Sequence, residues 1–352
     1  MRISLFILSF ILLQGSLFAH NLDSLLKVLE SEMQNQEVYD LQKEKRLEEL
    51  RTKSYKTDDA IERYQINDTL YQEYAFYKFD KALQYLEKNI QIADSINNPS
   101  MLNEAKLKMG LLLVNSGRFK ESIDILNEIN RNSIPESLLN SYFRTHQEAY
   151  SGLTYNTAVE RSRSNYAQLY ESYKDSLSTR LEPHSKEALR LKERQYRDRS
   201  QLDAALKINT QRLENAEMGS RDFSLIMFER SLLYEWRGEK EKQKECLIFS
   251  AISDIKASVK DNASIGILAM IMFAEGDLDS AHEYINFSYD DAKFYSSQLR
   301  FIYIANSMPL ITEAYEQKNA KQKKRLQYSL IFITVLASFL LFAVYLIRMQ
   351  IK

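Results

Sequence analysis

The chain of 352 residues has one cysteine, four prolines and eight glycines. The lone Cys246 excludes an internal disulfide framework and a cysteine-held metal cluster, and it leaves the redox compartment open. So little glycine and proline, with no regular strand-and-hairpin spacing, excludes an all-β architecture and points to helices. A formal net charge of -1 gives no global field to attract nucleic acid or an acidic partner. His146, His184 and His282 stand on different segments at no metal-ligand spacing and read as surface or half-buried residues. There is no glycine-rich phosphate loop, no His-Glu-x-x-His, no Gly-x-Ser-x-Gly and no paired cysteines. These absences argue against an enzyme and against a bound cofactor or metal.

What is present is a repeated helical pair. Between Asn262 and Tyr295, a first helix carries Leu268, Ala269 and Met272, a turn follows at Gly276 and Asp277, and a second helix carries Leu278, Ala281, Ile285 and Ser288. Small residues at Ala269 and Ala281 let two backbones approach, which is the spacing of a tetratricopeptide repeat. One such pair cannot bury its apolar face alone, so copies are expected to stack beside it. Met109, Gly110 and Leu113, then Gly117, Phe119, Ser122, Leu126 and Ile129, repeat the pattern almost position for position. Gly117 and Gly276 are the expected turn glycines. A degenerate pair runs through Tyr64, Leu70, Tyr71 and Tyr74 to Phe79, Ala82, Leu86 and Ala93, its tyrosines suited to packing between repeats. Leu138 to Leu181, Glu187 to Glu217 and Phe223 to Asp254 complete six pairs of uneven quality. Fold class is therefore all-α, a tetratricopeptide-like helical-hairpin solenoid with a C-terminal transmembrane helix.

The ends set the compartment. Residues 1–19 begin with Arg2, run apolar from Ile3 to Leu13 and end at Ala19, as a secretory signal peptide does. Leu17 is large for its position before the cut, so an uncleaved anchor is the alternative. Residues 20–57 form a leading helix and linker, with Leu22, Leu25, Leu26, Leu29 and Met33 on one face, and 58–293 form the solenoid. Asp59 with Glu62 has the spacing of a capping box. Residues 294–325 are a closing helix and basic juxtamembrane stretch, 326–347 a transmembrane helix and 348–352 a short tail. The 22 uncharged residues from Leu326 to Ile347 span a roughly 30 Å hydrocarbon core at about 1.5 Å per residue. Pro309 is expected to bend or restart the closing helix. Lys321, Lys323, Lys324 and Arg325 precede the span, against the positive-inside tendency, but the first hydrophobic segment sets orientation and exports the repeats. Asp290 and Asp291 diverge on their helix and read as solvated.

First helices line the concave face of such a solenoid. The aligned positions there are apolar: Leu107, Leu111 and Val114, then Phe228, Leu232 and Trp236, then Met270 and Phe273. A groove of that kind suits an amphipathic helix or an extended peptide. The chain's own leading or closing helix would fill it equally well, and the sequence leaves both occupants open.

Leu22 to Glu30 (LDSLLKVLE), Lys78 to Asp94 (KFDKALQYLEKNIQIAD), Leu102 to Ile129, and Glu241 to Ala292 with EKQKECLIFSAISDIKASVKDN resemble exported, membrane-anchored tetratricopeptide proteins of bacteria. These are grouped by a domain of unknown function and often described as transcriptional regulators. The resemblance implies a periplasmic helical sensor or scaffold with one span of the inner membrane. In typical members a cytoplasmic extension ends in a helix-turn-helix-like DNA-binding region; the sequence in hand stops at Lys352 without it, so nucleic-acid binding is not carried over. The resulting expectation is a non-catalytic repeat domain that binds a protein or peptide of the cell envelope, as the sensory half of a transmembrane signalling protein. A membrane-tethered scaffold without a signalling role is the alternative.

Overall fold

The computed structural model describes residues 22–351, so the expected signal peptide lies outside the described residues. Residues 22–34 form α1, and α2 (Gln36–Lys56) follows after a single non-helical residue, Asn35. The hydroxyl of Tyr39 donates to Glu32 across that joint at 2.6 Å. Helical pairs then follow in chain order: α3 (Ala60–Tyr74) with α4 (Phe79–Ser95), α5 (Pro99–Asn115) with α6 (Phe119–Asn127), and α7 (Leu139–Asn156) with α8 (Glu160–Ser178). After them come α9 (Lys186–Asp198) with α10 (Leu202–Leu213), α11 (Arg221–Arg237) with α12 (Lys240–Lys256), and α13 (Ser264–Glu275) with α14 (Leu278–Tyr295). The last helix, α15 (Gln298–Ile351), is 54 residues long.

Local chemistry accounts for the starts and stops. The Asp59 carboxylate accepts from the backbone N–H of Ile61 and Glu62 at 2.7 and 3.2 Å, so α3 is capped as its sequence predicts. The Glu62 carboxylate turns away and accepts from Thr57 at 2.5 Å. Gly276 ends α13 at φ 87°, where a side chain would cost strain. Gly117 has φ 89° and a second constraint, because a Cβ there would come 2.7 Å from Leu299 on α15. Small residues set the helix contacts: Ala269 and Ala281 are fully buried, and Ser122 donates to the Gly110 carbonyl at 2.8 Å.

The stack is held by its two ends as well as by neighbours. Tyr295 at the end of α14 packs edge-on to Phe79, 6.2 Å between ring centroids, and donates to the Ala75 carbonyl at 2.8 Å. The loop 257–263, between α12 and α13, is buried where it meets the α3–α4 turn: the N–H of Lys260 donates to the Phe76 carbonyl at 2.7 Å. The N–H of Gln298 donates to the Ser116 carbonyl at 3.2 Å, so α15 starts against the α5–α6 turn. Helices α1 and α2 lie along this closure. Leu26, Leu29 and Met33 join the core formed by α12, α13 and α14, while Leu47 joins the core of α3, α4 and α5 that also contains Tyr295.

Three expectations are corrected. Asp291 is 5 % exposed rather than solvated, because α2 covers its face and the loop supplies Lys260, whose ammonium is 3.2 Å from it. His146 is buried between Tyr142 and Tyr173, at ring-centroid distances of 4.2 and 4.5 Å. Burial pushes its imidazole down to about 4, so it stays neutral. Pro309 does not interrupt α15. The lost donor would have bonded the carbonyl of Ala305, and both residues are exposed, so water can satisfy that carbonyl.

Candidate functional site: a cleft along the first helices

The first helices of three successive pairs, α7, α9 and α11, bound a cleft of about 710 Å³. One wall is α11, where Leu225, Phe228 and Leu232 follow at helical spacing, with Leu189 and Leu191 of α9 and Leu177 of α8 adding apolar surface. The facing wall is cationic: Arg144 on α7 and Arg190, Arg194 and Arg197 on α9. Lys186, Arg190, Arg194 and Arg197 fall on one stripe because offsets of four, four and three nearly complete successive turns.

Ion pairs across the cleft fix its width. Arg194 reaches the Glu148 carboxylate on α7 at 3.2 Å and Ser151 at 2.6 Å. Arg190 reaches Glu229 on α11 at 2.8 Å, and Arg212 on α10 holds both Glu193 and Glu229, at 2.5 and 2.6 Å. Asn209 donates to Glu193 and to the Ile226 carbonyl, each at 3.1 Å. Burial and the neighbouring Glu229 raise the Glu193 carboxyl above its ordinary range. Burial also opposes the charge on Glu229, but Arg190 and Arg212 outweigh it and hold that carboxyl low. Removing one member of such a buried network would strand the rest, so the floor is stiff. The charges are largely spent on each other, and the apolar α11 wall is left to make contacts.

Of the groove positions expected from sequence, Phe228 and Leu232 line this cleft. Trp236 continues their stripe by one turn and is 54 % exposed. Met270 and Phe273 on α13 are half-buried against the core that also takes Phe228. Leu107 and Val114 are buried in the α5–α8 core, and Leu111 is half-buried on α5, away from the cleft. The leading helix does not cover the α11 stripe. Leu22 and Leu25 instead line a second, smaller pocket with Met227, Arg230 and Tyr234, which lie on the opposite side of α11 at about 100° per residue.

The family model described as the SusR N-terminal TPR domain matches residues 33–306, from the end of α1 into α15. The chain belongs to this family. A search of curated proteins finds no match. As a member of the SusR-type TPR family the chain carries a repeat fold of the kind that binds proteins or peptides, and its α15 is long and apolar enough to cross a membrane. The matched region contains the whole cleft. The cationic wall was the part missed in the sequence, although the stripe Lys186, Arg190, Arg194, Arg197 was readable there as a one-sided run of positive charge.

Proposed function

We propose that the cleft between α7, α9 and α11 binds a protein or peptide segment of the cell envelope, and that the repeats lie outside the cytoplasmic membrane as the sensory half of a signalling protein. The observation that carries the reading is the pairing of an apolar stripe, half-buried at Leu225, Phe228 and Leu232 and exposed at Trp236, with a wall of guanidinium groups already fixed in place. A rigid, partly apolar cleft costs little ordering on binding. Signalling needs a connection to the membrane, and α15 supplies one: it packs on α13 and α14 and continues unbroken into its apolar half.

Trp236 is the chosen probe because its ring is mostly in solvent. Trp236→Ala is expected to change stability by less than about 1 kcal/mol while weakening capture of the partner roughly tenfold or more. The measurement is cell-based photo-cross-linking from a benzoylphenylalanine placed at Leu225, with melting followed on the purified chain. Cross-linking that survives both Trp236→Ala and Leu232→Ala would remove the cleft as the binding site. Export is tested separately. Alkaline phosphatase fused at Asn319 is expected to be active and, fused after Lys352, inactive; the reverse pattern would put the repeats in the cytoplasm.

A further inference from the structure

From Gln317 to Lys352 there is no aspartate or glutamate, while Lys318, Lys321, Lys323, Lys324 and Arg325 crowd the approach to the uncharged run. Because α15 is continuous, the rotational phase of these cations relative to the span is fixed. Lys318 is committed to Asp279 on α14 at 2.6 Å. Lys321, Lys324 and Arg325 are exposed, and among the described residues no carboxylate pairs with them.

One face of the helix collects them. Lys321, Lys324, Arg325, Tyr328, Ser329, Phe332 and Ile333 line a shallow groove of about 690 Å³, a stripe at offsets of three and four. Along that stripe the chemistry is ordered: cations first, two hydroxyls next, then apolar carbon. Neither hydroxyl on the stripe is taken up by the helix itself. Thr334 and Ser338 donate to their own helix, to the carbonyls of Leu330 and Thr334 at 2.8 and 2.9 Å, whereas Tyr328 and Ser329 make no side-chain hydrogen bond to a described residue. From Lys321 to Phe332 the helix rises about 16 Å at 1.5 Å per residue, close to the height of one leaflet from headgroup into hydrocarbon.

We propose that this face binds one anionic phospholipid from the leaflet on the side of the repeats. The inference rests on α15 spanning the membrane. The phosphodiester sits against Lys321, Lys324 and Arg325; the hydroxyls of Tyr328 and Ser329 donate to the ester oxygens; an acyl chain lies on Phe332 and Ile333. A headgroup with no amine of its own leaves the phosphate charge for the protein, so phosphatidylglycerol is selected over phosphatidylcholine. With Lys318 tied to α14 and the following turns tied to a lipid, the junction between repeats and span is held at both ends.

The test uses the full chain in nanodiscs of phosphatidylcholine with a minority of phosphatidylglycerol, reading the immobilised fraction of spin-labelled forms of each lipid. Phosphatidylglycerol is expected to be favoured, and Lys324→Gln with Arg325→Gln to lower that preference roughly tenfold or more, at about 1 kcal/mol per basic residue. A charge-relocated variant, Lys324→Gln and Arg325→Gln with Asn319→Lys and Ala320→Lys, keeps the net charge but moves two of the three cations off the face, and is expected to lower the preference as much. Equal immobilisation of both lipids, or a relocated variant that binds as well as the parent, overturns the site. Flotation with pure phosphatidylcholine vesicles reads the span itself: failure to float overturns the spanning helix, whereas flotation without lipid preference overturns only the lipid site.

Discussion

Asp291→Asn is expected to stabilise the protein above neutral pH, by on the order of 4 kcal/mol. Asp291 lies where α14, α2 and the α12–α13 loop meet. Its carboxylate accepts from Gln36 at 2.9 Å and faces the Lys260 ammonium at 3.2 Å, but Lys260 is also 2.6 Å from Asp40. The buried Asp291 carboxylate and the half-buried Asp40 carboxylate share one cation, and an oxygen of each lacks a hydrogen-bond partner. Burial, opposed by Lys260 and Gln36 and reinforced by Asp40, pushes the Asp291 carboxyl up from 3.8 to about 7. The sign follows from proton binding. Between those two values the folded state keeps a proton that the unfolded chain releases, so this group's contribution to stability falls as pH rises through the window and is least favourable above it. Asparagine keeps an acceptor for Gln36, leaves Lys260 and Asp40 as a neutral pair, and removes the penalty. Asp254, pushed up to about 6 chiefly by burial, gives the parent a slope of the same sign, so the informative quantity is the difference between variant and parent. Urea melts across this range should show the two stabilities converging in acid and separating toward alkaline pH. A variant less stable than the parent at high pH would mean that the Asp291 charge is needed by Lys260.

The parts of this fold that were legible in the sequence are those whose causes are local. Ala269 facing Ala281, the turn glycines Gly117 and Gly276, and the cap at Asp59 all act within a few residues or one helical pair, so spacing alone reveals them. The closure is different. The contact of Tyr295 with Ala75, and of Lys260 with Phe76, depends on how far successive pairs rotate, which no single repeat encodes. That is why the polar run Ser258 to Asn262, which has the composition of an exposed loop, is buried, and why Asp291 read as solvated: its face meets α2 instead of water. The candidate site divides in the same way. Phe228 and Leu232 were legible as apolar residues where folding of the pair does not demand them. The pairing of Arg190 and Arg194 with Glu229 and Glu148 joins three helices and needed the structure.

Tyr295→Ala is expected to cost about 3 to 5 kcal/mol and to open the superhelix. The residue is fully buried, its ring packs on Phe79, and its hydroxyl is the donor to Ala75 across the closure. Alanine would leave a cavity between the first pair and the last, which neither can fill by moving alone because each is also held by its own neighbours. Tyr295→Phe separates the two contributions: it keeps the ring and loses only the hydrogen bond, for about 1 kcal/mol. The two variants should also differ in shape. With the ring gone, the Phe294 and Lys78 contact and the Lys260 to Phe76 hydrogen bond lose the packing that shields them, and α15 is freed from the α5–α6 turn at Gln298. Small-angle scattering of the alanine variant should therefore give a larger radius of gyration than the parent, with the phenylalanine variant unchanged. If the alanine variant instead melts and scatters as the parent does, Tyr295 is not a closing contact, and the buried loop 257–263, the Gln298 contact and α1–α2 hold the ends of the stack together without it.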